Sequence, residues 1–94
     1  MTYYLVLIEW NYPFESGYDY IGDFNDVQDA ERCAKDEYDR EYENFLDVTT
    51  GEIYEEASGR MCDAYGNCEG YILHSSPNEN EDFFFRSIII TREV

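Results

Sequence analysis

Residues 26–47 read DVQDAERCAKDEYDREYENFLD, and the period of this stretch decides what kind of fold the chain adopts. Turned at about 100° per residue, Val27, Ala30, Ala34 and Tyr38 fall on one side, a stripe suited to lie on a sheet. Asn25 or Asp26 stands where an N-cap belongs, and Gln28 follows Asn25 at capping-box spacing. The small alanines permit close approach to strands. Glu41 also falls near the apolar stripe, which predicts that the helix frays around residues 40–43. The stretch carries nine carboxylates against three basic side chains. Like charges one turn apart weaken an isolated helix by roughly a few tenths of a kcal/mol per pair. So much acid is therefore either a solvated face or retained for something the helix binds.

The flanking segments alternate as strands do. TYYLVLIEW, 2–10, is apolar on both of its alternating faces (Tyr4, Val6, Ile8, Trp10 and Tyr3, Leu5, Leu7), which suits a central, buried strand. NYPFESG makes a turn, and YDYIGDF, 18–24, completes a hairpin that leads into the helix. After the helix, ENFLDV, TTGE and IYEEA read as two strands about a Gly51 turn, although the first of them could stay helical. GYILHS, 70–75, and FFFRSIIITREV, 83–94, are the last strands, joined by the acidic loop SPNENED. With no repeat, linker or low-complexity tract, these elements predict a single α+β domain spanning 1–94. It has an antiparallel sheet of about five or six strands with one amphipathic acidic helix on one face.

The composition fits a folded domain. The chain has 94 residues, 44% of them apolar and 18% aromatic, far from the make-up of a disordered acidic tail. Its 22 Asp and Glu against 6 Lys and Arg give a formal charge of −16, a strong negative surface field. Direct binding to nucleic acid or anionic membrane is disfavoured, while basic proteins, cationic ligands and metal ions are attracted. The N-terminal apolar run lacks a basic flank and contains Glu9, so it reads neither as a signal peptide nor as a membrane span. A cytoplasmic setting is expected, in the host cell if the chain is phage-encoded, and Cys33, Cys62 and Cys68 are then reduced by default. Cys62 and Cys68 flank DAYGN, whose Gly66 and Asn67 suit a tight turn, so these two thiols could face each other across a hairpin and pair if oxidised.

Signatures of chemistry are sparse. His74 is the single histidine and lies in a strand, where a structural role is the usual one. No nucleophile elbow and no phosphate-cradling glycine loop is present. With 22 carboxylates, close acid pairs arise by chance and do not single out a general acid and base. Asn78, Asn80 and Asp82 match the first ligand positions of a calcium loop, yet Phe83 and Ile89 stand where its Gly and Glu belong. The C-x5-C spacing with a distant His74 does not match a zinc site. No catalytic residue, metal ligand or cofactor is assigned.

The distribution of charge carries what information is left. Between Glu15 and Glu56 lie 15 acidic and 3 basic residues, a local net of −12, whereas 83–94 is nearly neutral. Facing away from the core stripe, Asp29, Asp36 and Glu43 take the outermost direction, with Asp26 and Asp39 on its flanks. From Asp29 to Asp36 is about 10 Å at the rise of a helix, a spacing of the same order as that of phosphates along a nucleic-acid strand. These five residues, with Glu55 and Glu56 beyond the helix, are the candidate partner-binding residues.

From Tyr18 to Tyr42, a strand followed by GDFNDVQDAERCAK and then further strands resembles many small phage and plasmid α+β proteins, which implies an architecture and a mobile-element origin. In size, acidity, aromatic content and lack of catalytic motif, the chain also resembles phage-encoded inhibitors that mimic nucleic acid, including anti-restriction and anti-CRISPR proteins. That resemblance implies a non-enzymatic inhibitor, monomeric or a small homo-oligomer, whose carboxylates meet the Lys and Arg of a basic nucleic-acid-binding protein of the host. The alternative is a small acidic accessory or interaction module, of phage or salt-adapted origin, without mimicry.

Overall fold

The computed structural model describes residues 1–48 (46–48 by their backbone alone), 53, 55, 58–75 and 83–94. The chain runs β1 (Thr2–Asn11), β2 (Ser16–Phe24), α1 (Val27–Val48), β3 (Gly59–Cys62), β4 (Cys68–His74) and β5 (Phe84–Glu93). The five strands form one sheet in the order β2-β1-β5-β4-β3, every neighbouring pair antiparallel, with α1 packed against it. This is the expected α+β architecture. β1 is an interior strand, paired on both edges, and β5 is the middle one. The β1–β2 hairpin slips by one residue beside Val6 and Leu7, leaving Ile21 as the extra residue of a bulge.

The helix begins at the cap its sequence announces. Asp26 Oδ1 accepts a hydrogen bond from the Gln28 N–H at 2.8 Å, and the Asp26 carbonyl accepts from the Ala30 N–H. Ala30 and Ala34 are completely buried against Val6, Ile89 and Cys68, with Tyr4, Ile21 and Phe24 packed around them. A second cluster gathers Tyr12, Phe45, Leu73 and Phe85 further along the helix. Full burial of Phe45 and Leu73 contributes about 1.5–3 kcal/mol each.

The expected fraying at 40–43 does not occur, since the helix continues to Val48. Glu41 faces the sheet side as its position on the wheel implied, but its Oε1 accepts hydrogen bonds from the Tyr12 hydroxyl and the Asn44 amide, both at 2.5 Å. Those bonds offset the desolvation of the carboxylate. Phe45, one turn on, then anchors the helix in the core, so the open alternative for ENFLDV resolves as helix. Tyr38 and Tyr42 pack at the edge of this second cluster.

β3 was not among the strands read from alternation, although the hairpin expected across DAYGN implies an arm ending at Cys62. GRMC holds a single aliphatic side chain in four residues, too little for a period-two signal, and its strand is defined by pairing with β4. Of the expected strand IYEEA, Ile53 forms an isolated bridge to Ser75, and the Glu55 carbonyl accepts a turn bond from Ser58. The rest of that segment, including Tyr54 and Glu56, lies outside the described residues, as does the calcium-like stretch from Asn78 to Asp82. Among the described residues, no helix is long and apolar enough to cross a membrane.

Candidate partner-binding face

Because Ala30 and Ala34 point at the sheet, the opposite side of α1 is turned to solvent. Asp29, Asp36, Asp39 and Glu43 are all exposed there. The acid does not stand alone. Asp29 lies 3.5 Å from Arg32, Asp39 is 2.9 Å from Lys35, and Glu37 is 2.9 Å from Arg40. Asp36 and Glu43 have no ion pair among the described residues. Along the helix, the outward row therefore reads acid, base, acid, base, acid, through Asp29, Arg32, Asp36, Arg40 and Glu43.

Each paired charge on this row is substantially solvated except Glu37, so the pairs have the weak character of surface ion pairs, about 0–1 kcal/mol each. The Lys35 ammonium is held somewhat above its ordinary range by its hydrogen bond to Asp39. The Cys33 thiol is pushed up by burial and then by Glu37 and Asp36.

The other candidate residues lie off this row. The Asp26 carboxylate caps the helix through one oxygen, Oδ1, and remains exposed. Glu55 is exposed but lies beyond the helix. Glu56 lies outside the described residues.

Beside the first turns of α1, a cleft of about 510 Å³ is lined by Val27, Glu31, Asp63, Cys68, Glu69 and Ile89, among others. Val27, expected on the core stripe, is 37% exposed at its rim. Asp63 already has a structural task. Its carboxylate accepts from the backbone N–H groups of Tyr65 and Asn67 at 2.8 and 3.0 Å and from the Asn67 amide, and these bonds hold its carboxyl below the usual carboxylate range. That turn closes the β3–β4 hairpin and sets Cys62 opposite Cys68, both as free thiols. No group of three or more His, Cys, Asp or Glu suited to a metal ion occurs among the described residues.

Sequence reasoning located the acidic row but missed its interleaving with Arg32 and Arg40, a signal present in the same wheel. Against models of protein families, curated proteins and solved structures, the chain has no match. What this face can do must therefore come from its own charges and geometry.

Proposed function

We propose that the chain is a non-enzymatic inhibitor that binds a basic nucleic-acid-binding protein of its host through the solvent face of α1, taking the place of nucleic acid. The observation that carries this reading is the row Asp29, Asp36 and Glu43, spaced about 10 Å apart on a helix of fixed geometry. The helix is held rigidly, since Ala34 is in contact with the sheet and Phe45 anchors the far end, so the carboxylates are presented at fixed separations. The exposed ion pairs along the row are weak enough for a partner's Arg or Lys to displace the helix's own bases. The resemblance in character to phage-encoded mimics supports the same class of partner.

The test is a pulldown from host lysate at low salt, followed by binding measurements with the main prey over a range of ionic strength. A basic nucleic-acid-binding protein whose binding weakens steeply with salt and is competed by nucleic acid is the expected outcome. Acidic or metabolic prey only, or binding indifferent to salt, would refute it.

One observation favours a second reading. With Arg32, Lys35 and Arg40 set among the acids, the row is a mixed pattern rather than a phosphate-like one. Such a pattern suits an interaction module whose partner carries charges of both signs.

A further inference from the structure

The helix covers one face of the sheet, and no described element covers the other. Cross-strand register fixes what stands there, because residues opposite one another in a ladder share a face. Leu7 lies opposite Tyr20 on one side and Ile88 on the other, and Leu5 lies opposite Asp23 and Ile90. Glu9 faces Tyr18 and Arg86, while Tyr3 faces Arg92. Ile72 continues the row of Arg86 into β4, and Met61 stands opposite Gly70 at the end of the Ile88 row. Leu5, Leu7, Ile72, Ile88 and Ile90 belong to neither buried cluster. They are half-buried, and Tyr18 and Tyr20 are 79% and 54% exposed.

This aliphatic face also differs from the rest of the surface in charge. Among the described residues its charged side chains are Glu9, Asp23, Arg86 and Arg92, which sum to zero in a chain of net charge −16. Near its centre, Arg86 donates to Glu9 from Nε at 2.8 Å and from its terminal nitrogen at 2.6 Å, and its guanidinium lies over the Phe84 ring at 5.5 Å. A strand apolar on both sides is a strand that expects cover on both sides, and among the described elements β1 has it on one side alone, from α1.

We infer that this face is the interface of a homodimer, two copies packing sheet against sheet. Area, charge and symmetry favour a second copy over a foreign partner. Five strands of these lengths, at about 3.3 Å per residue and 4.8 Å between strands, present about 600 Å². A pair would bury about 1,200 Å², the lower edge of the range for stable specific interfaces. A basic partner finds no surplus of acid here, whereas an electroneutral patch is where two strongly acidic chains can meet without bringing like charges together. A two-fold axis is self-complementary, so a face carrying equal numbers of acids and bases can answer itself. In such a pair the two acidic helices lie on the outside. With sheets about 10 Å apart and a further helix layer on each side, the helices are about 30 Å from one another, several screening lengths at physiological salt. This assembly does not depend on what α1 binds.

Sedimentation equilibrium of the full chain in low and high salt provides the test. The expected result is twice the chain mass, with dimerisation tightening as salt screens the net charge, which is opposite in sign to the weakening expected for a basic partner at α1. Ile88→Lys should return the chain to monomer with its circular dichroism unchanged. Should that variant not fold, covalent footprinting of the unmodified chain decides: labelling of Leu7, Ile88 and Ile90 falls as protein concentration rises if copies pair through this face. A monomer at every concentration and salt, labelling independent of concentration, or a dimer unaffected by Ile88→Lys would each overturn the inference.

Discussion

The Ser87 hydroxyl, at the middle of β5, donates a hydrogen bond to the Ala34 carbonyl of α1 at 2.8 Å, with both residues completely buried. A polar group at the centre of a helix–sheet contact is tolerable only because it is satisfied. The bond also sets where along the sheet the helix lies, and so where its outer carboxylates stand.

Ser87→Ala should therefore destabilise by about 1 kcal/mol, the worth of one buried hydrogen bond. Ala34→Glu should destabilise by about 3 kcal/mol or more, because it forces both volume and charge into a filled contact. Asp36→Ala, on the solvent side of the same turn, should stay within about 0.5 kcal/mol. Urea unfolding of the three variants checks the ranking, and a larger loss from Asp36→Ala than from Ala34→Glu would place the helix in the wrong phase.

Two glycines separate backbone strain from close contact. Gly59 and Gly70 have nearly equal positive φ values, 119° and 124°. A Cβ at Gly59 would meet nothing within 4 Å, whereas at Gly70 it would fall 1.8 Å from the Ser87 carbonyl oxygen. Gly59→Ala should register strain alone, about 1–3 kcal/mol. Gly70→Ala should lose more than that, since β4 has to move away from β5. Equal losses in thermal melts would show that β4 yields freely.

Tyr12 supplies a pH dependence. Burial, and then its hydrogen bond to Glu41, push its hydroxyl well above the usual tyrosine range. A raised value in the folded state means stability is fully present below the unfolded value, near pH 10, and declines as pH rises beyond it. There the unfolded chain releases a proton that the folded chain retains. Denaturation between about pH 9.5 and 11.5 should show this decline, and Tyr12→Phe should flatten it at some cost in stability at pH 7. An unchanged slope in Tyr12→Phe would assign the alkaline loss to other groups, of which Tyr38 and Tyr71 are also raised by burial.

The charges of α1 can be tested from both signs. Neutralising Asp29, Asp36, Asp39 and Glu43 as Asn and Gln should abolish partner binding while the melting temperature holds or rises, since self-repulsion falls. The same number of changes at Glu15, Asp19, Glu69 and Glu93 should matter less. Replacing Arg32, Lys35 and Arg40 by Gln should tighten binding to a basic partner if the acids make the contact, and weaken it if the mixed pattern is what the partner reads. Equal losses from both acidic sets would reduce the interaction to non-specific net charge.

The sequence made most of this architecture legible through periodicity. Alternation marked β1, β2, β4 and β5, and the spacing of Ala30, Ala34 and Tyr38 marked the inner face of α1. Its end was misjudged because the wheel shows that Glu41 faces inward but not that Tyr12, 29 positions earlier, waits there with a hydroxyl. β3 showed no alternation for a related reason, since its four residues become a strand only through the backbone bonds that β4 offers, and only the DAYGN turn hinted at it. The acidic row was legible, while the capping bond of Asp26 and the exposed second face of β1 emerge only when the elements are assembled.

The strand order also dictates when the molecule can become whole. β1–β2 and β3–β4 are local hairpins, and among the described strands β5 is the one bonded to both. It joins β1 so completely that Met1 and Val94 exchange backbone hydrogen bonds at 3.0 and 2.9 Å. Hairpins of this kind form in microseconds, yet neither α1 nor the sheet can close its core until residues 84–93 insert between them. The pairing of β1 with β5 thus joins the two ends of the chain, and contacts of such long sequence separation favour slow assembly on a timescale of about milliseconds to seconds. A polypeptide that has not yet acquired its final strand is left with two unjoined halves of the sheet and a helix that lacks the middle strand it packs on.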